Sequence, residues 1–302
     1  MASDAPVWII GRHGQLARCL GEAASGSDLP LLHLSRPQLD FNAPRELEAC
    51  LANVADSAGP PSGIINAAAY TAVDQAEVEK DTAMRQNAEA PARLAAFCAD
   101  NQIPLIHIST DYVFSGRSDR PWTESAPTEP VNIYGESKLA GEEAVRASGA
   151  PAVIVRTSGV FSAFGSNFLK TMLRLAITRD EVDVVDDQIT SPTPADALAD
   201  CLLEIMNRMN AGKTASGVLH FSGDTMLSWA DFARLVFRKG RELDGPACEV
   251  SPISSSDFGA AARRPAFSAL DCGKIQREFG IEMPSLNAGV ERAMRRLMAG
   301  NH

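Results

Sequence analysis

Short, nearly continuous apolar runs alternate with longer amphipathic stretches through the first half of the chain. Val7-Trp8-Ile9-Ile10, Leu31-Leu32-His33-Leu34, Ile64-Ile65-Asn66, Leu105-Ile106-His107-Ile108 and Val153-Ile154-Val155 predict strands. Segments near 15–24, 44–56, 76–100 and 135–147 carry helical spacing. Strands that are apolar at successive positions, not only at alternate ones, predict a parallel sheet covered on both faces. The fold class is therefore α/β, a doubly wound Rossmann-type sheet, with its ligand crevice at the carboxyl ends of the strands.

After Arg156 the pattern loosens. It predicts a helix over 167–178, a strand near 182–185, and a helix starting at Thr193-Pro194, with Thr as N-cap and Pro in the first turn. A strand at 218–221 would return to the sheet, and helices near 228–241 and 286–298 follow, separated by Ser/Pro/Ala-rich connections. Residues 1–157, rejoined by 183–222, are expected to form a dinucleotide-binding domain. Residues 158–182 and 223–302 are expected to form a smaller, mixed C-terminal lobe that binds substrate.

Composition narrows the function without changing that picture. With 302 residues, 45% of them apolar and 22% charged, the chain resembles an ordinary soluble globular protein. A formal net charge of -10 argues against a general nucleic-acid or anionic-membrane surface. No apolar run is long enough to cross a bilayer, and Met1-Ala2-Ser3-Asp4-Ala5-Pro6 does not read as a signal peptide. The six cysteines are scattered, without a Cys-x-x-Cys, and are expected to be reduced buried thiols of a cytoplasmic protein. Monomer and homodimer are equally compatible with the sequence.

Candidate chemistry lies in an ordered set of motifs. Gly11-Arg12-His13-Gly14-Gln15-Leu16-Ala17 follows the first strand and opens a helix, where a pyrophosphate needs a glycine turn and free N–H groups. Leu34-Ser35-Arg36 ends the second strand without the carboxylate that would hold a ribose diol. Arg36 and Arg12 suit a 2′-phosphate instead, which favours NADPH and leaves NADH possible. Asp40 and Phe41 would lie near the adenine, and the small residues Ala67-Ala68-Ala69 before Tyr70 would floor the cofactor site. Tyr134 and Lys138, at i and i+4, share a helix face, where an ammonium would lower the phenol's pKa and hold the nicotinamide ribose. Thr110 ends the fourth strand and can bond a substrate carbonyl. Tyr-x-x-x-Lys alone is common on solvated helices; its place after Ser109-Thr110-Asp111 is what raises it.

Together these residues resemble the extended short-chain dehydrogenase/reductases, and within them the dTDP-4-dehydrorhamnose reductase family. The likeness includes Asn66-Ala67-Ala68-Ala69-Tyr70-Thr71-Ala72-Val73-Asp74, Ser109-Thr110-Asp111-Tyr112-Val113-Phe114-Ser115-Gly116 and Tyr134-Gly135-Glu136-Ser137-Lys138-Leu139-Ala140-Gly141-Glu142. It continues through Arg156-Thr157-Ser158, Asp187-Gln188, Ser191-Pro192-Thr193 and Ala262-Arg263-Arg264-Pro265, with Ser268 and Leu270. The resemblance implies reduction by NAD(P)H of the 4-keto group of dTDP-6-deoxy-L-lyxo-4-hexulose to dTDP-L-rhamnose, a precursor of bacterial cell-surface polysaccharide. It implies Tyr134 as proton donor, Lys138 as its assistant and Thr110 as the third member. It also places Asn87 with the cofactor residues, Thr71, Val73, Asp111, Tyr112 and Gly159 at the sugar, and Arg263 at the nucleotide diphosphate.

Two departures stand out. Ala17 replaces a third glycine, and Gly159 stands where the family usually has a Trp against the sugar, with Phe161 or Phe164 as candidates to fill the gap. Rival readings are a reductase or epimerase of another 4-keto nucleotide sugar, and a non-catalytic NADP-binding regulatory subunit. A dehydratase is disfavoured because Thr110-Asp111 is followed by Tyr112, not by a further acid. Some relatives are associated with Mg²⁺, but no carboxylate cluster here reads as its site, so no metal ligand is expected.

Overall fold

A computed structural model of the chain describes residues 5–25, 29–213 and 216–299. Residues 1–4, part of the opening inspected for a leader, lie outside them. The chain runs β1 (Val7–Ile10), α1 (Gln15–Ala24), β2 (Leu31–Leu34), α2 (Leu47–Ala58), β3 (Gly63–Asn66), α3 (Val73–Ala76), α4 (Lys80–Met84) and α5 (Ala90–Asp100). It continues with β4 (Leu105–Thr110), α6 (Ile133–Ala147), β5 (Ala152–Thr157), α7 (Phe168–Ala176), β6 (Glu181–Val185), β7 (Ile189–Thr190) and α8 (Ala195–Asn210). Last come β8 (Gly217–His220), β9 (Leu227–Ser228), α9 (Trp229–Glu242), β10 (Glu249–Ile253), α10 (Ser255–Phe258), α11 (Gly273–Phe279) and α12 (Leu286–Ala299).

Six strands form a parallel sheet in the order β2-β1-β3-β4-β5-β8. β1 shows why both faces must be covered. Val7 and Ile9 join one buried cluster, beneath α1 and α8, while Trp8 and Ile10 join the other, beneath α2 and α5. Successive side chains of a strand point to opposite faces, so an all-apolar strand is stable only between two helical layers. Each such side chain contributes about 1.5–3 kcal/mol by leaving water. The order reverses at β1, which lies between β2 and β3, so the crevice between the ends of β1 and β3 is the switch point where doubly wound folds bind ligands.

The helix expected over 76–100 is interrupted. α3 and α4 are short, a wider π-type turn spans Arg85–Glu89, and α5 opens with Pro91 in its first turn. Proline has no N–H for the carbonyl four residues back, here Asn87, which accounts for the widening just before it. A second difference is at Thr193. Pro194, not Thr193, caps α8, and the Thr193 hydroxyl donates instead to the Ser158 carbonyl at 2.6 Å.

A third cluster lies beyond the large sheet. Phe161, Leu169, Val182, Phe232, Phe237, Val290 and Met294 are buried together, from the connection after β5 and from α7, β6, α9 and α12. β6 pairs in parallel with β10, a strand the sequence pattern did not indicate, while α8 and β8 return to the large sheet. This smaller lobe faces the carboxyl ends of β4 and β5 across a cleft.

Candidate active site

The cleft has a volume of about 650 Å³ and a smaller one of about 240 Å³ adjoins it. Both are lined by Gly14 and by Ala67, Ala68 and Ala69, so one trough runs from the end of β2 to α6. Gly11 adopts φ +117°, and a Cβ there would lie 3.6 Å from the Ala67 carbonyl carbon and the Ala68 nitrogen. Gly14 opens α1 without a side-chain cap, and the space beside its Cα is empty, so the first-turn N–H groups face the trough. A dinucleotide pyrophosphate fits this cradle, and a larger residue at either glycine would obstruct it.

The smaller end of the trough is lined by Ser35, Arg36, Asp40 and Phe41. Asp40 accepts from the Asn42 backbone N–H at 2.9 Å. Arg36 is exposed and brings a guanidinium to the end of β2, which suits a 2′-phosphate. Arg12 is exposed and lines neither part of the trough. His13 and Leu16 line the larger part, as does Gln15, whose amide also ties down the facing loop by accepting from Ser162 at 3.0 Å and Asn167 at 2.8 Å.

Asn87 is placed differently from its expected role. It is fully buried, accepts from the Tyr70 N–H at 2.8 Å, and donates to the Tyr70 carbonyl at 2.9 Å and the Ser137 hydroxyl at 2.9 Å. It thus clamps the β3 loop to α6. The Tyr70 hydroxyl turns outward to Glu79, at 3.1 Å.

At the other end, β4 and α6 bring the chemistry together. Asn132 caps α6 by accepting from Gly135 N–H at 2.8 Å, which starts the helix before Tyr134 and puts Lys138 one turn further on. Gly135 lets the helix approach β4, because a Cβ there would strike the Tyr112 carbonyl. Thr110, Asp111, Tyr112, Tyr134 and Lys138 all line the cleft, with Thr71 and Val73 at its margin. The rings of Tyr112 and Tyr134 meet edge to face at 5.8 Å.

Thr110 has one proton, and it is donated to Asp111 at 3.0 Å, while its oxygen accepts from Tyr112 N–H at 3.2 Å and bonds the Tyr134 phenol. Asp111 also accepts from Ser158 at 2.7 Å and bonds Ser268. Burial pushes its carboxyl up to about 6 against these hydrogen bonds, which favour the carboxylate. Burial likewise pushes Tyr134 up to about 12, although the neighbouring Thr110 hydroxyl opposes the shift. The net shift is upward, against the expectation of a lowered value, because burial outweighs the Lys138 charge. The Lys138 ammonium donates to the Ile108 carbonyl at 2.7 Å, and desolvation dominates at the ring. Lys138 itself is 2% exposed and is brought down to about 8 by burial, with Glu142 opposing. Glu142 is held in turn by a buried bidentate pair with Arg156, at 2.8 and 2.6 Å.

The family model described as "RmlD substrate binding domain" matches residues 5–299. A protein named dTDP-4-dehydrorhamnose reductase from Sinorhizobium fredii is 41% identical over 288 residues, covering 94% of this chain and 95% of that protein. One of the same name from Burkholderia thailandensis is 39% identical, covering 97% and 99% of the two chains. The crystal structure of dTDP-4-dehydrorhamnose reductase from Bacillus anthracis in complex with NADP superposes with a TM-score of 0.89 at 34% identity, covering 97% of this chain and all of that one.

The chain belongs to this family. Its site also contains residues the sequence reading did not single out. Arg264 pairs with Asp74 at 2.8 and 3.1 Å, and its positive charge acts on the Tyr112 phenol. Arg263 and Arg264 both line a separate cavity of about 320 Å³, and the Arg263 carbonyl accepts from Asn132 at 2.7 Å. Two adjacent arginines in sequence offer no basis for choosing between them. Ser158 and Ser268 hold Asp111 from distant segments, and only their inclusion in family-like motifs pointed to them. On the facing wall the gap at Gly159 is not filled by the expected phenylalanines. Phe161 is buried in the lobe core and Phe164 lies under Arg18 and Arg296, whereas Trp229 lines the cleft.

Proposed function

We propose that this chain reduces the 4-keto group of dTDP-4-dehydrorhamnose to dTDP-L-rhamnose with NADPH. The observation that carries the reading is the convergence of Thr110, Tyr134 and Lys138 at one end of a trough that runs past the Gly11–Gly14 turn to the end of β2. NADPH, when bound along the trough, supplies the two reducing electrons and a hydrogen to C4. Arg36 and Ser35 would hold its 2′-phosphate, the α1 N-terminus its pyrophosphate, and Lys138 its nicotinamide ribose. The NADP complex of the Bacillus anthracis relative supports the same choice of cofactor.

Tyr134 then gives its phenolic proton to the C4 oxygen. A phenol near 12 is fully protonated at neutral pH and so is always loaded for reduction, though it is a weak acid. Thr110 aids it by bonding the same oxygen. Its single proton is committed to Asp111, so that bond must be exchanged for one to the carbonyl as substrate arrives. Lys138, cationic below about 8, stabilises the phenolate that remains. Arg264, held by Asp74 of α3, acts on the Tyr112 phenol, whose ring packs on that of Tyr134.

Loss of NADPH absorbance on addition of dTDP-4-dehydrorhamnose, with dTDP-L-rhamnose as product, tests the proposal. Tight NADPH binding without turnover of any 4-keto nucleotide sugar would replace it with the binding-subunit reading.

A further inference from the structure

The two walls of the cleft differ in chemistry. One presents hydroxyls, a carboxylate and an ammonium from β4 and α6. The other comes from the lobe and its approaches: Gly159, Val160, Gly165, Ser166 and Trp229. Among the described residues lining the cleft, Trp229 is the one aromatic ring from that side. We infer that Trp229 is the specificity-determining wall of the sugar subsite, taking the C–H face of the keto sugar while its oxygens face Thr110 and Tyr134.

Two sets of contacts support this. First, the ring is held in place before any ligand arrives. Trp229 begins α9 and is half-buried, with its ring 4.7 Å from that of Phe168 and 6.2 Å from that of Phe232. Ser228 caps the helix by accepting from Asp231 N–H at 3.0 Å and donates to Asp186. A preorganised ring loses little entropy on binding.

Second, the backbone opposite carries no side chain at position 159 that would cover the ring. Gly159 has φ +51°, a conformation that disfavours a side chain. A Cβ there would lie 3.2 Å from Pro192 Cα and 3.5 Å from Trp229 Cη2. Glycine at 159 and the indole at 229 are thus complementary: with no side chain at 159, nothing from that residue covers the Cη2 end of the ring that lines the cleft. A pyranose has an apolar face wherever its C–H bonds lie on one side, and an aromatic ring buries that face at low cost. Stereoisomers that turn a hydroxyl toward the indole would leave it unpaired against an apolar surface.

The inference rests on the proposed 4-keto sugar reductase reading, and its test separates the two. Wild type, Trp229→Ala and Trp229→Phe are compared in NADPH oxidation with dTDP-4-dehydrorhamnose, and NADPH affinity is titrated in each. Expected is a KM raised ~10-fold or more in Trp229→Ala, with NADPH affinity unchanged and most of the loss restored in Trp229→Phe. An unchanged KM in Trp229→Ala overturns the inference while leaving the reductase intact. A wild type that turns over no 4-keto nucleotide sugar overturns the reductase reading and this inference with it. As a second readout, dTDP-L-rhamnose added to the NADP⁺ complex should quench indole emission in wild type and not in Trp229→Phe. Equal quenching in both contradicts the assignment.

Discussion

The two walls of the cleft are built by different means. The reacting wall stands on the end of a central strand and the first turns of a helix, and its groups are tied to one another and to the backbone. Lys138 is fixed to Ile108, Thr110 to Asp111, and Asp111 to Ser158. The facing wall is mostly loop, tied down by a local network of Gln15, Ser162 and Asn167 and by the packing of Trp229 on Phe168 and Phe232. Chemistry that must be placed within tenths of an ångström sits on rigid elements, and recognition of the sugar sits where the chain can vary without disturbing the sheet.

That contrast can be broken at several points. The largest effect is expected at the reacting wall. Tyr134→Phe should lower kcat by ~10²–10⁴-fold with NADPH affinity retained, since only the proton donor is lost. An unchanged kcat removes Tyr134 from the mechanism. Beneath the wall, Glu142→Ala would leave Arg156 buried without its counter-ion, costing about 3–5 kcal/mol in denaturant unfolding. A loss below about 1 kcal/mol would mean that the pair is not the buried support described here.

The pH profile of kcat/KM follows from the same groups. The Asp111 carboxylate is present above about 6 and the Lys138 ammonium below about 8, so activity should fall on the acid side of the first value and the alkaline side of the second. Asp111→Asn should flatten the acid limb, and Lys138→Arg, whose guanidinium stays charged, should move the alkaline limb upward. Limbs that stay in place in both variants would assign the titrations elsewhere. The smallest effect belongs to the exposed cofactor end: Arg36→Ala should weaken NADPH ~10-fold and NADH little. Equal losses for the two would remove the 2′-phosphate contact.

The contrast between walls also explains what was legible in the sequence. The apolar runs of β1, β3, β4 and β5 give the sheet directly, because those strands are buried on both faces and their polar residues fall mainly at the carboxyl ends, while the edge strand β2 is only half-buried yet still apolar enough to read. Tyr134 and Lys138 were readable because a helix fixes their spacing and β4 fixes their neighbour Thr110. The facing wall has no such period. Trp229 comes close to Gly159 only because α9 packs on α7, and nothing local to either residue marks the meeting. The raised pKa of Tyr134 was equally hidden, since the sequence shows a nearby lysine but not that the ring is buried deeply enough for desolvation to win. β10 went unread because its strand of mixed polarity, Glu249–Ile253, pairs only with β6.

The central claim is that the reacting wall performs reduction on any suitably placed 4-keto sugar and the facing wall chooses which sugar is placed. The direct test is the ratio of kcat/KM for dTDP-4-dehydrorhamnose to that for dTDP-4-keto-6-deoxy-D-glucose, measured in wild type, Thr110→Ala and Trp229→Ala. The account predicts that Thr110→Ala lowers both values and keeps their ratio, whereas Trp229→Ala brings the ratio toward one. A ratio that collapses in Thr110→Ala and survives in Trp229→Ala would contradict it.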